Sequence, residues 1–152
     1  MKNIFSFIII FLLFSCKKEN NIVAPVIHEN VITMNSISDN YDSITTKVKK
    51  LGDEDAYSEL FYHLKDSNFE GRTDSLMIYS KIMAEKYHFE KAYIDYLDAV
   101  TEKHGIENNI GNYSTINLSQ LKSKEKQEII DWLSKMVEKG IITEKQFQEV
   151  KK

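Results

Sequence analysis

Four histidines, His28, His63, His88 and His104, carry the most varied chemistry in the chain, and two of them sit at ligand-like spacings. Glu85 and His88 have the Glu-x-x-His spacing that places two metal ligands on one helix face. A dinuclear carboxylate site needs a second such motif and glutamates from other helices, and the sequence has no second motif. Glu59 and His63 are one turn apart and read as a surface pair. No Gly-rich phosphate loop, no Gly-x-Ser-x-Gly elbow and no His-Glu-x-x-His occurs. Asp95, Asp98 and Glu102 form an acidic strip at helical spacing. Paired carboxylates can do acid–base work, but this strip lies opposite the Tyr93–Leu97–Val100 face, where solvation is the expectation. These residues point to a binding protein rather than an enzyme, with no metal and no cofactor expected.

Charge and aromatic placement suggest how it would bind. Residues 53–107 hold 13 acidic and 6 basic side chains, a net −7, whereas residues 108–152 hold 6 acidic and 8 basic, a net +2. An acidic body steers a basic partner by electrostatics. Asp95, Asp98 and Glu102 are therefore candidate binding residues. Tyr62 and Tyr87 join them, because they fall at the edges of the core stripes and tyrosine is enriched in recognition surfaces. The balance of 20 Lys+Arg against 23 Asp+Glu disfavours a nucleic-acid partner.

The elements that must position these residues are helices. With 152 residues, the chain suits one ordinary domain plus a tail. Five glycines and one proline argue against an all-β chain, and one cysteine excludes an internal disulfide. Apolar residues at intervals of three and four predict helices over Tyr41–Leu51, after Asp53 as cap through Leu64, after Thr73 or Asp74 through Tyr87, and from Ala92 to Gly105. Residues 105–117 read as a long loop. A helix carrying Ile129, Trp132, Leu133 and Met136 follows, and a last short one starts at Thr143. All five glycines fall in connections, as an all-α reading requires.

The N-terminus reads as an address. Met1-Lys2-Asn3 precedes eleven residues, Ile4 to Phe14, in which only Ser6 is polar. That is too short to span a bilayer, which takes about 20 apolar residues, and it has the length of a signal-peptide core. The end of this segment, Leu13-Phe14-Ser15-Cys16, resembles the lipobox of bacterial lipoproteins. The resemblance implies cleavage after residue 15 and acylation of Cys16, palmitate included. Several acyl chains hold firmly to a membrane, since each buried CH₂ contributes about 0.8 kcal/mol. Lys17 follows where an inner-membrane retention signal would have aspartate, so the outer membrane is the expected destination. Residues 16–40 then form a lipidated flexible tether.

Two further likenesses concern architecture. Residues 73–106 resemble the helix–turn–helix frame of tetratricopeptide repeats, with Leu76, Tyr79, Ser80 and Met83 in the first helix and Ala92, Tyr96 and Ala99 in the second. His104 stands where that family has proline, and Ser80 where it has glycine. The stretch Lys91-Ala92 to Gly105 is also similar to Sel1-like repeats. Ala56, 36 residues before Ala92, marks a degenerate earlier repeat over residues 41–65. Residues 133–147 resemble the short C-terminal (SHOCT) hairpin of many bacterial proteins, with Gly140 at the turn and Thr143 and Gln146 as a capping box. The expected organisation is thus a signal peptide over 1–15, a tether over 16–40, tetratricopeptide-like α-α repeats over 41–106, and a loop with a C-terminal helical hairpin over 107–152. The expected function is that of a membrane-anchored protein–protein interaction module of the cell envelope, binding in the groove between the first helices of each pair. An immunity-type lipoprotein neutralising a toxin is the alternative, followed by a ligand- or metal-binding envelope protein.

Overall fold

The computed structural model describes residues 40–152. The expected signal peptide, Cys16 and all of the expected tether except Asn40 lie outside the described residues. Helix α1 spans Tyr41–Thr46 and runs on as a wider π-helical segment, Lys47–Leu51. It is followed by α2 (Glu54–Asp66), α3 (Arg72–Tyr87), α4 (Glu90–Lys103), a 3₁₀ turn at Tyr113–Thr115, α5 (Ser123–Glu138) and α6 (Glu144–Glu149). Among the described residues there is no strand, only isolated bridges, and no helix is long and apolar enough to cross a membrane.

Three helix starts can be read from the residues that form them. Asp53 caps α2 by accepting the Ala56 N–H at 2.9 Å, with Glu54 and Asp55 in the dipole-favoured first turn. Helix α3 starts earlier than the expected caps Thr73 and Asp74. Its N-cap is Gly71 in the left-handed region; the Gly71 carbonyl accepts the Ser75 N–H at 3.0 Å as the first helical bond, and no side chain caps the helix. Thr143 and Gln146 form the expected capping box of α6, with the Thr143 N–H donating to Gln146 Oε1 at 2.8 Å and the Gln146 N–H to Thr143 Oγ1 at 3.2 Å.

The two N-terminal hairpins repeat one turn. Gly52 (φ 67°, ψ 33°) and Asp53 (φ −68°, ψ 113°) join α1 to α2. Thirty-six residues on, His88 (φ 59°, ψ 30°) and Phe89 (φ −72°, ψ 111°) join α3 to α4 with nearly the same dihedrals. At that same offset Ala56 matches Ala92 and Tyr57 matches Tyr93, all four buried. The hairpins also stack in register. Tyr41 and Tyr79 bring their hydroxyls within 3.4 Å, and Tyr87 Oη donates to the Lys49 carbonyl at 2.9 Å. The chain is thus an all-α protein of antiparallel helical hairpins arranged as repeats.

One core runs through every hairpin, from Ile44 and Val48 through Leu60, Met83, Leu97, Ile129 and Met136 to Val150. Ser80, Met83, Ala92, Tyr96 and Ala99, the small and large positions of the expected repeat frame, are all buried. The long connection after α4 contributes too: Tyr113, Ile116 and Leu118 are buried, and the segment is tied to the C-terminus by Leu118 N–H to Lys151 O at 2.8 Å and Lys151 N–H to Ile116 O at 3.0 Å. Residues read from sequence as loop therefore belong to the core, because the last hairpin leaves an apolar flank that this segment covers.

The repeated turn makes opposite predictions for its two left-handed residues. His88 is exposed and carries a Cβ where glycine is favoured, so His88→Gly should raise unfolding stability by about 0.5–1 kcal/mol. A Cβ on Gly52 would run into the Tyr87 ring, so Gly52→Ala should lower stability by about 2 kcal/mol. Denaturant titration checks both signs, and destabilisation by His88→Gly would refute the shared turn.

Candidate functional site

The carboxylates of α4 are placed differently from the expectation of a solvated strip. Helix α4 lies between neighbours, so the face away from the α5 contact meets side chains of α2 rather than water. Asp95 is only 6% exposed, accepts the Tyr57 hydroxyl at 2.7 Å and pairs with Lys91 Nζ at 2.7 Å. Asp98 pairs with Lys65 at 2.7 Å, and Glu102 pairs with Lys65 at 2.9 Å and with Arg72. Arg72 also donates to the Lys65 carbonyl at 3.0 Å, which fixes the α2–α3 connection to the end of α4. All three carboxylates are consumed inside the molecule. Burial, and then the charge of Asp95 beside it, pushes the Tyr57 phenol far above its ordinary value, so it stays a proton donor.

The two candidate tyrosines divide. Tyr87 is half-buried, its ring lying over Gly52 and its hydroxyl held by the Lys49 carbonyl, so it closes the first hairpin against the second. Lys86 reinforces this contact by donating to the same carbonyl at 3.0 Å. Tyr62 is 57% exposed on α2, edge-on to Phe61 at 5.8 Å. Glu85, half of the Glu-x-x-His motif, pairs with Lys135 of α5 at 2.5 Å, while His88 sits in the exposed turn. Among the described residues no group of three His, Cys, Asp or Glu side chains is placed to hold a metal.

A groove of about 590 Å³ opens between α3 and α5. One wall is Lys81 of α3; the other is the stripe Lys124, Gln127, Glu128, Asp131 and Lys135 of α5 over Trp132. Trp132 is anchored by donating Nε1–H to the Tyr93 carbonyl at 3.0 Å, with its ring 4.1 Å from that of Tyr96. Tyr96 donates to Glu128 at 3.0 Å; burial, and then this carboxylate, raises its phenol as well. Gln127 donates to Asp131 at 2.7 Å. Among the described residues neither Lys81 nor Lys124 has an ion-pair partner, although Lys81 lies 5.7 Å from the Tyr96 ring. The groove thus offers two free ammonium groups beside hydrogen-bonding amide and carboxylate groups on an anchored aromatic floor.

A groove between first helices was the expected place of binding, but none of the residues that line this one stood out from the sequence as a binding residue. The α5 wall was detectable, since positions 124, 127, 128, 131 and 135 follow helical spacing on a polar face. Lys81 comes from another hairpin, and nothing local reveals which face of α3 meets α5.

Together, fold and groove define the class: an all-α protein of stacked helical hairpins with a polar cleft between two of them. Comparison with known proteins found no matching family, no similar curated protein and no similar solved structure.

Internal pairing of the α4 carboxylates predicts a stability phenotype. Asp95→Lys should cost about 3 kcal/mol or more, because it buries a cation against Lys91. Glu102→Lys should cost about 1 kcal/mol by opposing Lys65 and Arg72 at a half-exposed position. Thermal unfolding followed by circular dichroism would show this, and wild-type melting of Asp95→Lys would return the strip to solvent.

Proposed function

We propose that this protein is a lipid-anchored protein–protein interaction module of the bacterial cell envelope, with tetratricopeptide-like hairpins that hold a partner in the α3–α5 groove. The observation that carries the reading is the groove itself. It lies between the first helices of consecutive pairs, where stacked helical hairpins leave a concave side. Its lining suits a peptide: free Lys81 and Lys124 receive carboxylates, Gln127, Glu128 and Asp131 meet backbone or basic groups, and the floor is rigid. Rigid presentation matters, because ordering a loose site on binding consumes affinity.

The anchor rests on the resemblance of Leu13-Phe14-Ser15-Cys16 to a lipobox. A tether between Cys16 and the helices gives the module reach from the membrane surface. The outer membrane is the proposed location, and binding rather than catalysis the proposed role.

One experiment addresses both parts. A photo-crosslinking residue at Gln127 should capture a defined partner in cells, and the same residue at Ser114, in the connection after α4, should not. Lys81→Glu with Lys124→Glu should abolish that capture while leaving the fold intact. Equal capture at both positions, or capture indifferent to the charge reversals, would refute the groove. In the same cells Cys16→Ala should abolish palmitate labelling and release the protein from membranes; retained labelling would refute the anchor.

A further inference from the structure

Lys91, in the first turn of α4, sets its ammonium inside a box of aromatic rings and one buried carboxylate. Nζ stands 4.4 Å from the ring centre of Phe61, 5.3 Å from that of Tyr62 and 6.0 Å from that of Tyr57. It donates to both oxygens of Asp95, at 2.9 and 2.7 Å. Asp95 is fixed in turn by the Tyr57 hydroxyl. Ring faces attract a cation and a carboxylate accepts its N–H groups, so the box is a complete receptor for a primary ammonium.

We propose that this box is a recognition site for a lysine side chain of a partner protein, and that Lys91 fills it as a place-holder in the free protein. The Lys91 side chain is 37% exposed, so the box opens to solvent. A lysine ammonium is a strongly hydrated point charge on a flexible stem, and it leaves by rotation about that stem with the helix unmoved. Tyr62, the most exposed of the three rings, forms the outer wall and is available to a newcomer. Glu59 and Asp66, exposed on the same helix and outside every ion pair of the described residues, favour a cation on approach. Because Asp95 acts as a hydrogen-bond acceptor, the box selects a primary ammonium over a quaternary one, which has no N–H to donate. This site stands apart from the α3–α5 groove, so each survives the failure of the other.

The test uses the full chain, wild type and Lys91→Ala, with Nα-acetyl-lysine methylamide as probe and its trimethyl-lysine counterpart as control. Binding is followed by NMR of the Tyr62 and Phe61 ring protons. Lys91→Ala should bind the lysine probe at least tenfold more tightly than wild type, and at least tenfold more tightly than the trimethylated control. Adding Tyr62→Ala should weaken that binding. In the wild type, high probe concentration should shift the Lys91 side-chain signals as the residue is displaced. Equal binding by variant and wild type, equal binding of the two probes, or wild-type Lys91 signals that stay fixed at saturation would each make the box an internal ion pair and overturn the proposal. Should Lys91→Ala fail to fold, the wild-type measurement decides alone: Lys91 side-chain signals that shift with lysine probe but not with the trimethylated control support the box, and signals that stay fixed overturn it.

Discussion

Tyr57 donates its hydroxyl to Asp95 across 2.7 Å in the buried seam between the first two helical hairpins, and the rest of the fold depends on that contact. Neither hairpin covers its own apolar face, so each must lean on the next. Apolar burial drives the approach without fixing the register, because it has no direction. A charge-assisted hydrogen bond in a dry seam does fix it: left unmade, it strands a buried carboxylate. Lys91 supplies the second partner of Asp95, and Lys65 and Arg72 extend the same pairing along α4 to Asp98 and Glu102. Every carboxylate that turns from α4 toward α2 is thereby spent on holding the hairpins together.

That arrangement explains both what the sequence disclosed and what it hid. Helix spacing, the Asp53 cap, the Thr143–Gln146 box and the 36-residue offset between Ala56 and Ala92 are local signals, and each has its counterpart in the structure. The burial of Asp95 was hidden because a helical wheel displays one apolar face, whereas a helix inside a stack has two contact faces. The polar residue types on the second face read as solvent-facing until their partners on α2 and α3, 30 to 38 residues away, are known. His88 conceals its role in the same way. Glycine at position 52 announces a left-handed turn, while histidine in the equivalent place looks like a ligand.

Function follows from what remains after this internal pairing. Two lysines on the α3–α5 groove keep free charge, and Tyr62 keeps a free aromatic face beside a box that already holds an ammonium. In the proposed reading both serve as polar recognition features carried on helices. The acidic excess of residues 53–107 therefore divides in two: carboxylates of α4 build the stack, and exposed ones such as Glu59 and Asp66 would, in the proposed reading, set the field a partner meets.

The claim that a buried hydrogen bond joins the hairpins is tested most directly by a double-mutant cycle of Tyr57→Phe and Asp95→Ala, read by denaturant unfolding of the full chain. A coupling energy of about 1.5–3 kcal/mol between the two positions is predicted, the range for hydrogen bonds to charged groups. Additive effects, with coupling near zero, would contradict the account and leave the stack to apolar packing alone.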